Sequence, residues 1–159
     1  MIHFIIVSYC NWDQISDLCD SALKYNKGEA SELLQLHIVD NLGDDVIKLK
    51  VAGIPSAKYY HFGNVGYGQG FNNVLNQIQL LKSDLFIISN DDVKLKNLRP
   101  VKELIDAHFR LKKDVKNLGI LSASYMSSDD FVDSSRYFKL TSNSIEGATQ
   151  MLFGPGAFW

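Results

Sequence analysis

The chain has no long apolar run. Its longest hydrophobic stretches, such as Phe4 to Val7 and Leu85 to Ile88, are the length of a strand, too short for a signal peptide or a membrane-spanning helix. The chain therefore reads as cytoplasmic, at most peripheral to the inner face of a membrane. Cysteine is scarce. Cys10 and Cys19 are the only two, with no CxxC motif and no second pair, which excludes a zinc site and a disulfide scaffold and leaves free, reduced thiols. His3, His37, His61 and His108 are scattered along the chain, so no histidine cluster suits a transition metal; His37 and His61 lie in or beside strands and are expected to pack or hydrogen-bond there. A basic excess is also missing. Sixteen Lys and Arg against 18 Asp and Glu give a net charge of −2, which provides no general pull toward nucleic acid or an anionic bilayer. An anionic ligand would have to be met by local donors or by a metal. Neither an internal repeat nor a low-complexity linker interrupts the chain, and no nucleophile motif surrounds Ser8.

With 159 residues and 46% apolar content, the chain fits a single domain, 1–159, with a substantial core. Ile2 to Tyr9 reads as a first central strand. Asn11 or Asp13 caps a helix from Trp12 to Tyr25, whose apolar residues recur at helical spacing. Leu33 to Val39 is a second apolar strand, Val46 to Val51 a short helix, and Lys58 to Phe62 a further strand. A glycine-rich segment, 63–73, opens a helical pattern through Val74, Leu75, Ile78 and Leu81. Leu85 to Ile88 is a continuous apolar run, expected to be a strand buried on both faces. Pro100 starts a helix with Val101, Leu104, Ile105, His108 and Leu111 on one stripe, and Leu118 to Tyr125 reads as another strand. After Ser127 the pattern weakens, with a strand pair within 131–140 and a strand over 149–153. Alternating strands and helices imply an α/β fold with a mostly parallel central sheet and helices on both faces.

Three strands of such a sheet end in chemistry: Ser8-Tyr9, Asp40-Asn41 and Asn90-Asp91-Asp92. In parallel sheets, ligands gather outside the carboxyl ends of the strands. Two adjacent carboxylates repel unless water, a cation or a helix terminus relieves them. Asp91 and Asp92 therefore suit a divalent metal, or else a solvated turn in which Asp92 caps the next helix. The glycines permit close backbone approach to a ligand and place a helix N-terminus beside it. Gly66, Gly68 and Gly70 do not make a dinucleotide fingerprint, because the third glycine is misplaced and the cluster follows the wrong strand.

Ile-Val-Ser-Tyr-Cys-Asn-Trp at 6–12, Ile-Val-Asp-Asn at 38–41, Asn-Val-Gly-Tyr-Gly-Gln-Gly-Phe-Asn at 64–72 and Ser-Asn-Asp-Asp-Val at 89–93 occur in that order. Together they resemble the family 2 glycosyltransferases of the GT-A fold, in particular rhamnosyltransferase-like members of bacterial polysaccharide synthesis. The resemblance covers about the first 95 residues well and the rest loosely. It implies a GT-A-like (Rossmann-like) fold, with 1–95 as a donor-binding half and 96–159 as the start of an incomplete acceptor half. It also implies a nucleotide-diphospho-sugar donor, Mn²⁺ or Mg²⁺, and a glycan or lipid-linked acceptor. By resemblance, Ser8 and Tyr9 lie against base and ribose, and Asp40 hydrogen-bonds the base. Asn64, Gly66, Gly70 and Asn72 border the nucleotide-sugar pocket. Asp91 lies near the ribose, and Asp92 holds the metal; Asn90 stands where the family's motif begins with an acid. Tyr67 suits either the sugar pocket or a cover over the glycine loop, and Trp12 reads as a core anchor.

The metal would neutralise the diphosphate leaving group as the sugar bond breaks, and inversion would need a general base near the acceptor hydroxyl. Asp129, Asp130, Asp133 and Glu146 match no such motif, so the catalytic residue is unassigned. The chain stops at Ala157-Phe158-Trp159, in mid-pattern, which suggests a truncated C-terminus and self-association through the C-terminal segment. Two further classes compete with an active transferase. One is a degenerate or truncated GT-A-like nucleotide-binding module without transfer. The other is a nucleotidyltransferase, disfavoured because Cys10 to Asp13 is neither basic nor glycine-rich. The chain alone is expected to bind donor without acceptor-dependent transfer. Assaying a panel of nucleotide-sugars with Mn²⁺ checks this, and efficient transfer would place a base among those four acids.

Overall fold

The computed structural model describes residues 1–9, 11–25, 34–79, 81, 84–93, 100–114, 140–145 and 148–151. Its elements run β1 (Ile2–Ser8), α1 (Trp12–Tyr25), β2 (Leu34–Asp40), α2 (Asp45–Ala52), β3 (Ala57–Tyr60), α3 (Gly66–Gln77), β4 (Leu85–Asn90), α4 (Pro100–Asp114), β5 (Leu140–Ile145) and β6 (Ala148–Met151). They divide into two units, Met1–Glu103 and Leu104–Trp159.

In the first unit β1 to β4 form one sheet in the order β3-β2-β1-β4, with every pairing parallel. β1 and β2 are central and apolar on both faces, as uninterrupted hydrophobic runs require. Ile5, Val7 and Val39 build a core with Val74 of α3, and Tyr67, Phe71, Leu75 and Ile78 pack against it. On the other face Phe4, Ile6, Leu36 and Ile38 are at most 2% exposed. The α1 stripe of Ile15, Leu18, Cys19 and Ala22 is equally buried, so helices shield the sheet on both sides. Asn11 caps α1, its Oδ1 accepting from Gln14 N at 3.3 Å. Burial, with Asp20 second, pushes the Cys19 thiol up to about 12, so this free cysteine is inert packing. Cys10 lies outside the described residues.

Several boundaries differ from those read off the sequence. α3 ends at Gln77 rather than continuing through Leu81, because Ile78 turns extended at φ −106°, ψ 144°. Leu81 is then 60% exposed, with its N–H donated to Asp84 Oδ2 at 2.9 Å. β4 is not buried on both faces: Phe86 is 36% and Ile88 42% exposed, since among the described residues β4 has only β1 as a strand neighbour. In the second unit β5 pairs antiparallel with β6, registered through Leu140↔Met151 and Ile145↔Ala148; the strand pair expected within 131–140 lies, but for Leu140, outside the described residues. The polar Thr-Ser-Asn-Ser of β5 carries no apolar alternation that would have located it. The strand expected at 118–125 lies outside the described residues.

A row of rings crosses the sheet on its α3 side. Phe86, His3, His37, Tyr60 and Phe62 follow one another with centroids 5.2, 5.1, 5.6 and 6.0 Å apart. His3 Nδ1 lies 2.9 Å from His37 Nε2, and His37 Nδ1 lies 3.0 Å from the Tyr60 hydroxyl. With both imidazoles neutral, one direction pairs the inner atoms: Tyr60 O–H donates to His37 Nδ1, and His37 Nε2–H donates to His3 Nδ1. His3 Nε2–H then faces Asp84 Oδ2 at 3.5 Å. His37 thus packs and hydrogen-bonds, as its strand position implies, and His3 is its partner.

Burial first, then the charges of His3 and Lys58, lower His37 to about 4 from 6.5. A histidine with a depressed folded-state pKa stabilises the fold fully above its unfolded value, and that contribution is lost as pH falls through the folded one. Thermal unfolding followed from pH 7 to 4 should therefore show stability falling below about pH 6.5. His37→Gln should have a shallower fall over that window than the wild type. Identical slopes would remove His37 from the acid response.

Candidate ligand-binding edge

The carboxyl ends of β1, β2 and β4 lie side by side. Parallel pairing sets Ser8 opposite Asp40 and Val7 opposite Asn90, which brings Ser8 level with Asp91. The Ser8 hydroxyl, 2% exposed, donates to Asp91 Oδ2 at 2.5 Å. That contact uses one carboxylate oxygen and orients the half-buried Asp91, while Asp92 next to it is exposed. Tyr9, just past β1, is 59% exposed, so its ring is free to meet a ligand.

Asp40 is wholly buried, and its carboxylate is saturated from within. Oδ1 accepts from Leu42 N at 2.9 Å; Oδ2 accepts from Asp44 N at 2.7 Å and from the Tyr59 hydroxyl at 3.0 Å. Burial, then the hydrogen bond and charge of Asp40, push the Tyr59 phenol up to about 12, so it remains a donor. The Asp40 side chain therefore organises the turn after β2, a role different from the base contact expected of it.

The residue that sequence reasoning passed over is its neighbour. Asn41 is 8% exposed, yet its Oδ1 has no hydrogen-bond partner. That oxygen lies beside Gly70, 3.9 Å from where a Cβ there would stand. The signal was present in the strand period: residues 39 and 41 share one face and 40 takes the other. Val39 faces α3, so Asn41 does too.

α3 reaches this edge through its glycines. Gly63 and Gly66 adopt φ of +75° and +76°, a region that disfavours residues with a Cβ. A Cβ on Gly70 would stand 3.2 Å from Val39 Cγ1 and 3.5 Å from Val7 Cγ1, so this glycine sets how closely α3 approaches β1 and β2. No side chain caps α3, which leaves its first N–H groups facing outward from the loop. Asn64 is exposed in that loop. Asn72 is exposed as well and, two residues beyond buried Gly70, points away from the sheet; the structure does not bring it to the edge. Tyr67 packs on the α3-side core. Trp12 is half-buried with Lys50 Nζ 5.1 Å from its ring centroid, a surface cation–π contact rather than a core anchor.

Among the described residues no three His, Cys, Asp or Glu side chains converge on one point. A metal here would have one or two carboxylates from Asp91 and Asp92 and take its remaining ligands from water and a bound phosphate. That donor set suits Mg²⁺ or Mn²⁺, which commonly keep water and phosphate oxygens as ligands.

A parallel α/β sheet with chemistry gathered at its carboxyl edge is the GT-A-like fold implied by the motifs. Two solved structures share it. Crystal structures of S. aureus TarS and of S. aureus TarS 1-349 match with TM-scores of 0.52 and 0.51, at 18% and 17% identity. The match covers 77% and 80% of this chain but 23% and 40% of theirs, so the chain spans less than half the length of either. At such identities the likeness is one of fold. No family model matches the chain, and no curated protein does.

Asp40→Ala would leave two backbone N–H groups and the Tyr59 hydroxyl without their acceptor. Chemical denaturation should show a loss of about 1–3 kcal/mol, the usual cost of buried donors left unpaired. Unchanged stability would mean that the turn holds without the carboxylate.

Proposed function

We propose that the chain is the donor-binding part of a glycosyltransferase, taking a nucleotide-diphospho-sugar at the β1–β2–β4 edge for inverting transfer to a glycan or lipid-linked acceptor. The observation that supports this most is the Ser8–Asp91 contact, which aligns the acid-ended strand with the end of β1 at the ligand edge of a parallel sheet. The motif resemblance adds the direction of rhamnosyltransferase-like members in polysaccharide synthesis.

Each residue has a role in this reading. The diphosphate lies near Asp92, the ribose near Asp91, and the open ring of Tyr9 takes the base or ribose face. Asn41, rather than Asp40, reads the base: its unpaired Oδ1 accepts an imide N–H while its amide N–H donates to the adjacent carbonyl. That pattern favours uracil, thymine or guanine. Bound Mn²⁺ or Mg²⁺ would offset the charge that grows on the leaving diphosphate. The glycine loop, 63–66, borders the sugar without side chains that would crowd it.

Calorimetry with uridine, thymidine, guanosine and adenosine diphosphates, with Mn²⁺ and with chelator, tests the reading. One of the first three should bind best, and only with metal. Asp92→Ala should abolish the gain from Mn²⁺, and Asn41→Ala should weaken the preferred nucleotide by about tenfold, the worth of one good hydrogen bond. Equal affinity of wild type and Asp92→Ala in saturating Mn²⁺ would remove the metal assignment. Adenosine diphosphate binding as well as the others would remove Asn41 from the base.

A further inference from the structure

We infer that Tyr59 and His61 are positioning residues that hold Asn41 in place to read the base; the inference rests on the nucleotide-binding reading above. Residues two apart on an extended segment point the same way, and here both reach one residue. The Tyr59 hydroxyl donates to the Asp40 carboxylate at 3.0 Å. The His61 Nδ1–H donates to the Asp40 carbonyl oxygen at 2.8 Å. The side chain and the carbonyl of Asp40 are thus held separately, both from the β3 side.

That carbonyl belongs to the peptide that joins Asp40 to Asn41. Turning this peptide would swing the Asn41 amide, so a hydrogen bond on the carbonyl fixes the direction of the amide. The other end of the same peptide is also tied, because Asn41 N donates to Ser8 O at 2.9 Å. Beyond it, the N–H groups of Leu42 and Asp44 are held by Asp40. The His61 ring also covers Gly43, where a Cβ would lie 2.6 Å from the ring at a φ of +81°. The described main-chain ties of the turn converge on Asp40 or Ser8, while within the turn the buried Oδ1 of Asn41 has no partner. A turn held this firmly carries its amide in one orientation before any ligand arrives, and neither Tyr59 nor His61 needs to touch that ligand.

The pair of tests separates positioning from mere support. A purely structural role would lower stability and weaken all nucleotides alike, whereas a positioning role changes the ratio between bases. His61→Ala removes the donor to the carbonyl, His61→Asn restores a side-chain N–H near the Nδ1 position, and Tyr59→Phe removes only the hydroxyl. Calorimetry in Mn²⁺ should show the ratio of affinities between the preferred nucleoside diphosphate and adenosine diphosphate falling about three- to tenfold in His61→Ala and Tyr59→Phe, as loss of one oriented hydrogen bond implies. His61→Asn should recover the wild-type ratio, and the Mn²⁺ dependence should stay intact in all three, since Asp91 and Asp92 are untouched. Should His61→Ala not fold, Tyr59→Phe and His61→Asn still decide. Wild-type ratios in folded Tyr59→Phe and in folded His61→Ala would overturn the inference while leaving nucleotide binding in place. A wild type that binds no nucleoside diphosphate would instead overturn the functional reading, and this inference with it.

Discussion

One buried carboxylate carries much of the architecture around the ligand edge. Asp40 sits at the end of a central strand with no exposure to water, a position that costs a charged group several kcal/mol of lost hydration unless hydrogen bonds replace it. Three donors do so, from the following turn and from β3. The same bonds fix where the chain goes next. Asp44, held by its own N–H, turns its side chain onto Val46 N at 2.7 Å and caps α2. Strand, turn, helix and neighbouring strand are therefore locked through a single side chain, and next to the lock Asn41 turns to the α3 side with its Oδ1 unpartnered.

The two faces of the sheet divide the work. The side opposite α3 is apolar along the middle of the strands, with Phe4, Ile6, Leu36 and Ile38. The α3 side admits polarity, but in an ordered form: His3, His37 and Tyr60 satisfy one another in a row across β1, β2 and β3. Such a row is stable only when each hydrogen bond points the same way, since a misdirected proton would leave two lone pairs facing. The chemistry of the edge lies at the far ends of the same strands, so the row and the ligand residues are stacked along the strands without competing for atoms.

Most of the first unit was legible because its signals are strong and local. Ile2 to Val7 and Leu34 to Val39 are apolar enough to admit only central strands, and Asn11 fits the cap of α1. Errors arose where a residue obeys the periodic pattern but tertiary partners override it. Leu81 continues the spacing of α3, yet Asp84 draws its N–H into a turn. Ile88 extends an apolar run, yet β4 has one described neighbour and leaves it exposed. Asp40 and Asn41 are both polar residues at a strand end; the side on which α3 lies separates the residue bonded to the turn from the one that faces α3. Resemblance by motif pointed to the acid, whose carboxylate accepts three hydrogen bonds from within the fold.

The Ser8–Asp91 contact joins residues 83 positions apart. β1 also lies between β2 and β4, so its pairing is completed only by the last strand of that sheet. Parallel pairings between such distant segments must overcome a large loop-closure entropy before any contact rewards it, and chains built on them fold slowly. On the ribosome, this carboxyl edge is incomplete until Asp91 has cleared the exit tunnel. Until then β1 exposes the flank that β4 will occupy, an unpaired apolar strand of the kind that nascent chains hand to chaperones.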